Sequence, residues 1–171
     1  AISALLRPYQ GVLCAEEGHI ATHETGAIEA TGHKVLTLPD TDGRITAAQV
    51  EAYCRAHWES MVQEHTVQPG MVYLSQPTEC GTLYTRAELA AMHIVCQKYG
   101  LPLYVDGARH GYALATPEND VTLANLAALS DLFYIGGTKC GAMFGEALGI
   151  ANPAYQKDFR YMIKQRGALL A

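Results

Sequence analysis

The sequence predicts a three-layer α/β domain: a mostly parallel sheet with one antiparallel strand, covered by helices on both faces. Three observations lead there. Short apolar runs without strict alternation recur along the chain, the pattern of strands buried on both faces. Between them lie stretches of helical length opened by capping residues. The last apolar run follows its predecessor after a short Gly-bearing connection, which is too short for a parallel crossover and requires an antiparallel return.

Taken in order, "AISALLRPYQG" reads as the last turns of a helix ending at Arg7-Pro8, where proline cannot continue it. "GVLCA" (Gly11 to Ala15) is the first strand, "HETGAIEATG" (His23 to Gly32) a short helix and "KVLTL" (Lys34 to Leu38) the second strand. "ITAAQVEAYCRAHWESM" opens with Thr46 as N-cap, and Gln49 three residues on completes the spacing of a capping box. "MVYLS" (Met71 to Ser75) is the next strand. "YTRAELAAMHIVCQKYG" repeats the capping device with Thr85 and Glu88 and stops at Gly100, a left-handed C-cap. "PLYVD" (Pro102 to Asp106), the helical "TLANLAALS" (Thr122 to Ser130) and "LFYIG" (Leu132 to Gly136) follow. "EALGIA" (Glu146 to Ala151) is the antiparallel strand. "YMIKQRGALLA" stops in mid-pattern, as the first residues begin in one, so both ends read as cut from something longer.

The 171 residues suit one domain, and 49% apolar with 17% charged residues is the profile of a soluble globular protein. A net charge of −5 without a basic block argues against nucleic acid or a membrane surface as partner. No apolar run approaches the ~20 residues of a membrane span. The five cysteines are odd in number and form no C-x-x-C pair, so neither a disulfide framework nor a zinc knuckle is indicated, and a reducing cytoplasm is expected. His19 and His23, four apart and followed by Glu24, have the spacing of a metal half-site, but no third ligand stands at a sensible distance in sequence.

In an open α/β sheet, ligands bind beyond the carboxyl ends of the strands. Those ends carry Glu16 to His19, "SQPTECG" (Ser75 to Gly81), "DGAR" (Asp106 to Arg109) and "GGTK" (Gly136 to Lys139). Lys139, between glycines, is either a solvated turn residue or a partly desolvated amine able to form a Schiff base. Asp106 at a buried strand end needs a partner. That partner is either Arg109 in a local ion pair or the ring N–H of pyridoxal phosphate, which a carboxylate keeps protonated as an electron sink. In the second case Arg109 is left to form a bidentate pair with a substrate carboxylate.

"GHIATHETGAIEATGHKV", "YVDGARHGYAL" and "FYIGGTKCGAMFGEAL", in this order, resemble the threonine aldolase and β-eliminating lyase family of fold-type I pyridoxal-phosphate enzymes. The resemblance implies that residues 1–171 are part of the large cofactor-binding domain, lacking the N-terminal segment and the small C-terminal domain. It makes Lys139 the Schiff-base lysine, Asp106 the partner of the pyridine nitrogen, and Arg109 the substrate-carboxylate ligand. His19 would stack on the cofactor ring and help handle the β-hydroxyl proton; taken alone, it reads first as a histidine closing a strand-to-helix turn. Thr138 and Thr78 would touch the cofactor, Glu79 the substrate, and Glu24 would orient its neighbours. The implied reaction is cleavage of threonine or allo-threonine to glycine and acetaldehyde, with β-elimination on an amino acid as the alternative chemistry. The implied assembly is a homodimer or homotetramer of the complete protein. Three departures from the family pattern stand out: its Gly-Thr phosphate loop is absent from this sequence, so is the small domain that supplies its second carboxylate-binding arginine, and His110 stands where the family usually has an apolar residue. A non-catalytic α/β binding or scaffold domain is the reading from another class.

Overall fold

The computed structural model describes residues 1–168. In chain order the elements are α1 (Ile2–Leu5), β1 (Gln10–Ala15), α2 (His19–Thr22), β2 (Val35–Leu38), α3 (Ala47–Glu59), β3 (Gln68–Ser75) and α4 (Arg86–Tyr99). They continue with β4 (Leu103–Gly107), α5 (His110–Ala115), α6 (Leu123–Leu129), β5 (Leu132–Gly136), β6 (Glu146–Ile150) and α7 (Phe159–Gln165). The end of "YMIKQRGALLA" beyond Ala168 lies outside the described residues.

The strands form one six-stranded sheet in the order β2-β1-β3-β4-β5-β6. The first five are parallel and β6 pairs antiparallel with β5, as the short connection requires. Alternation along each strand divides the core. Leu13, Val72, Leu74, Leu103 and Val105 face a layer built from Val50 and Cys54 of α3, Leu89, Met92 and Cys96 of α4, and Leu126 of α6. Val12, Cys14, Met71, Tyr73, Tyr104 and Leu132 face the other side, with Ile2 and Leu6 near α1 and Ile20 of α2. Both faces being covered is why the strands read as unbroken apolar runs.

Helices α3, α4 and α6 start on complete capping boxes: Thr46 with Gln49, Thr85 with Glu88, and Thr122 with Asn125. Gly100 ends α4 in the left-handed conformation expected of it, at φ 65°. Two expectations need correction. "HETGAIEATG" forms no α-helix; the helix lies earlier, at His19–Thr22, and Thr25 (φ 53°) and Gly26 (φ 69°) interrupt the chain before a single 3-10 turn at Glu29–Thr31. Strand β3 begins at Gln68, three residues before the expected start, because pairing of Gln10 with Gln68 and of Gly11 with Pro69 brings Pro69 and Gly70 into the sheet against their propensities. Among the described residues no helix is long and apolar enough to cross a membrane.

Candidate active site

Parallel strands place their carboxyl ends on one rim. Register aligns Ser75 of β3 with Asp106 of β4, and Asp106 with Tyr134 of β5. The loops after β1, β3, β4 and β5 therefore emerge together, and antiparallel β6 starts at the same rim, with Glu146 opposite Gly136. A narrow cleft there is lined by His19, Tyr73, Ser75, Glu79, Asp106 and Arg109, with Pro77 and Ala108 beside them.

Asp106 is held at both oxygens. Tyr73 donates its phenol proton to Oδ2 at 2.7 Å, and the Ala108 N–H donates to Oδ1 at 3.0 Å. Arg109 is exposed and forms no ion pair among the described residues, so the local Asp106–Arg109 bridge is not the answer to the aspartate's burial. Burial pushes the Asp106 carboxyl above its ordinary range, opposed by the Tyr73 hydroxyl, the Ala108 amide and the charges of His19 and Lys139.

Lys139 rides on a single 3-10 turn, Thr138–Cys140, directly after β5. The turn is exposed throughout, so the partial desolvation expected of Lys139 is not seen. What brings the turn to the β4 loop is glycine: a Cβ on Gly136 would lie 2.1 Å from the Ala108 carbonyl oxygen. Glu146 braces the turn, accepting from the Gly137 N–H at 2.6 Å and from the Thr138 hydroxyl at 3.0 Å. Although desolvation pushes upward, these donors hold the Glu146 carboxyl below its ordinary range.

His19 opens α2, with Glu24 Oε1 2.7 Å from Nε2 and Glu79 Oε1 3.2 Å from Nδ1, two ion-pair contacts. The sequence-distant Glu79 thus supplies a third group near His19 and His23, all within 4.8 Å of one another. The two imidazoles stack at 12° to each other, and His23 Nδ1 is already 2.6 Å from the Thr22 hydroxyl. Near-parallel rings aim their in-plane lone pairs along separate planes, which suits a shared face better than a shared ion.

Thr78 stands apart from the other expected site residues. Its side chain is buried and its hydroxyl is engaged with the Thr82 hydroxyl, at 2.7 Å, with the Thr82 N–H and with the Asp42 carbonyl. It staples the "PTECGT" turn to the loop after β2 and does not line the cleft. His110 is fully buried at the start of α5, and burial pushes its imidazole below the usual range. It packs against Gly107, where an added Cβ would meet the His110 Cβ at 2.7 Å.

The family model described as "Beta-eliminating lyase" matches residues 1–169. A low specificity L-threonine aldolase from Pseudomonas sp. (strain NCIMB 10558) is 35% identical over 99% of this chain and 48% of its own length. The chain belongs to the beta-eliminating lyase family. Among solved structures of the same fold, a threonine aldolase from Leishmania major superposes with a TM-score of 0.93 at 52% identity, over 99% of this chain and 48% of that one. A putative L-allo-threonine aldolase from Listeria monocytogenes shares the fold at a TM-score of 0.71 and 20% identity, over 100% of this chain and 46% of that one. The chain spans about half the length of the curated relatives it matches.

In this member of the beta-eliminating lyase family the structure brings together His19, Glu79, Asp106 and Arg109 around one cleft, with Lys139 close enough for its charge to act on Asp106. Sequence reasoning missed Tyr73 and Glu146. The signal for Glu146 was its place at the start of an antiparallel strand returning to the Lys139 turn. The signal for Tyr73 was its parity: two residues before Ser75, it shares a sheet face with the residue paired to Asp106.

Proposed function

We propose that the protein containing this chain is a pyridoxal-phosphate-dependent lyase that cleaves the Cα–Cβ bond of a β-hydroxy amino acid, releasing glycine and an aldehyde. Threonine and allo-threonine, giving acetaldehyde, are the substrates favoured by the named relatives. The observation that carries the reading is Asp106: a partly buried carboxylate at a strand end, without a cationic side-chain partner among the described residues, beside a strand whose glycine-flanked end presents Lys139. A pyridine ring carrying an aldehyde fits that donor set, with the ring N–H completing the carboxylate and the lysine amine holding the aldehyde carbon. When bound, such a ring accepts the electron pair released from the breaking bond.

The chain's own residues supply the rest. The exposed Arg109 guanidinium presents a planar fork for the substrate α-carboxylate. His19, with Glu24 Oε1 2.7 Å from Nε2 and Glu79 Oε1 3.2 Å from Nδ1, is the imidazole of the rim that would take the proton of the substrate β-hydroxyl as the aldehyde departs. Glu146 keeps the Lys139 turn rigid by engaging Gly137 and Thr138. The Thr138 hydroxyl donates to Glu146 and keeps lone pairs for the cofactor, whereas Thr78 acts on the site only through its loop.

The family's description also covers β-elimination, but relatives at 35% and 52% identity are threonine aldolases, which favours carbon–carbon cleavage. Membership of an enzyme family, with candidate residues gathered at one rim, speaks against a scaffold. By analogy the complete protein works as a homodimer or homotetramer in the cytoplasm. The test is release of glycine and acetaldehyde from L-threonine and L-allo-threonine by the full-length protein with cofactor. Release that needs both cofactor and Lys139 is expected; no release from either substrate would overturn the assignment.

A further inference from the structure

The geometry points to Tyr73 as a positioning residue for Asp106: its phenol fixes one carboxylate oxygen and leaves the remaining lone pairs to accept the ring N–H of a pyridine cofactor. The inference rests on the proposed function for its purpose, but its physical core concerns this chain's own side chains.

Tyr73 and Asp106 lie on adjacent strands and on the same sheet face. The register pairs Tyr73 with Tyr104 and Ser75 with Asp106, so Tyr73 and Asp106 are diagonal neighbours. Tyr73 is 1% exposed, and a phenol so buried must find an acceptor. It finds Asp106 Oδ2 at 2.7 Å. Its ring is locked edge-on against Tyr104, centroids 5.6 Å apart, so the hydroxyl has little freedom to leave. With the Ala108 N–H on Oδ1, the carboxylate is pinned at both ends and its plane cannot rotate. The Ser75 hydroxyl is buried in the same cleft, close to the Tyr73 phenol.

The donor is neutral, and that matters. An arginine or lysine in this place would satisfy Asp106 electrostatically and displace a ring cation. A phenol lowers the basicity of the carboxylate while leaving its charge for the ring. Between a carboxylate and a pyridine nitrogen, the proton rests on nitrogen only while the carboxylate is the weaker base. Tyr73 opposes the upward pull of burial on Asp106, and so keeps the proton where it makes the ring an electron sink.

The test compares wild type and Tyr73→Phe in the full-length protein. Without cofactor, the Asp106 carboxyl is titrated by 13C NMR after [4-13C]aspartate labelling, its signal assigned by its loss in Asp106→Asn. The expected result is a further rise of its pKa in Tyr73→Phe. With 15N-labelled pyridoxal phosphate, the ring-nitrogen shift is expected to move toward the unprotonated value. Threonine turnover is expected to fall about tenfold in kcat, equivalent to ~1.4 kcal/mol of lost stabilisation, with KM little changed. An unchanged Asp106 titration in the folded variant would overturn the inference, as would a raised pKa with unaltered ring nitrogen and kcat. If Tyr73→Phe fails to fold, the wild type decides: protonation of Asp106 must shift the Tyr73 13Cζ resonance, and a flat response overturns the contact. If the protein binds no cofactor, the proposed function fails, while the cofactor-free titration still decides the Tyr73–Asp106 coupling.

Discussion

At the scale of single residues, Lys139 and Asp106 carry different risks. Lys139 is exposed on its turn, so its reactivity must come from position. Borohydride reduction of the full-length protein with pyridoxal phosphate should fix cofactor on Lys139, and peptide mapping that placed it on Lys34, Lys98, Lys157 or Lys164 would contradict the assignment. Asp106 is costly to keep charged. Burial raises its folded-state pKa above the ordinary 3.8, so its favourable contribution to stability is complete below that value and is lost as pH rises through the folded pKa. Asp106→Asn removes this titration and keeps an acceptor for Ala108 or Tyr73. The variant should therefore gain thermal stability relative to wild type as pH rises from acid to neutral, while threonine cleavage slows by orders of magnitude, each ~1.4 kcal/mol counting tenfold. Melting curves across that pH range, with turnover measured alongside, check both halves; a stability difference that shrinks with rising pH would reverse the sign argued here.

At the scale of elements, the capping boxes were readable from spacing because they are local: a threonine and a Gln, Glu or Asn three residues on need nothing from the rest of the fold. Thr85→Ala should cost about 1 kcal/mol, read as a lowered denaturation midpoint with unchanged slope. The segment 23–32 was misread for the opposite reason. Its composition allows a helix, but Thr25 and Gly26 adopt left-handed conformations that let the chain turn back toward β2. Gly136 is the element-scale residue on which the site depends, since any Cβ there meets the Ala108 carbonyl oxygen at 2.1 Å. Gly136→Ala should push the β4 and β5 loops apart and weaken cofactor affinity roughly tenfold or more, ~1.4 kcal/mol, with far-UV circular dichroism little altered. Cofactor titration by absorbance checks this; wild-type affinity would show that the two loops need not touch.

At the scale of the whole molecule, the chain covers about half of its relatives' length. We expect these 171 residues alone to leave threonine uncleaved even with excess cofactor. The rim described here offers one arginine for the carboxylate and no glycine-threonine phosphate loop, and a reacting group misplaced by ~1 Å can cost about a hundredfold. Met143, 92% exposed, and Phe144, 72% exposed, lie just beyond the Lys139 turn and should make the isolated chain prone to association. Assaying glycine and acetaldehyde release from this span beside the full-length protein, at equal cofactor saturation, checks the expectation; comparable rates would mean the span carries a complete site.

The sequence by itself determined what depends on short-range pattern. Apolar runs set the strands, threonine-led boxes set the helix starts, and a connection of nine residues between Gly136 and Glu146 set β6 antiparallel. The strand-end rule then gathers His19, Glu79, Asp106, Arg109 and Lys139 at one rim. Only the tertiary structure decided which of these groups touch. Asp106 turned to Tyr73, 33 residues away, and not to Arg109, three residues away. Glu79 met His19 across 60 residues, and Thr78 turned into its own loop. Side-chain partners across a sheet follow from register and face, which are properties of pairs of strands, and no single stretch of chain encodes a pair.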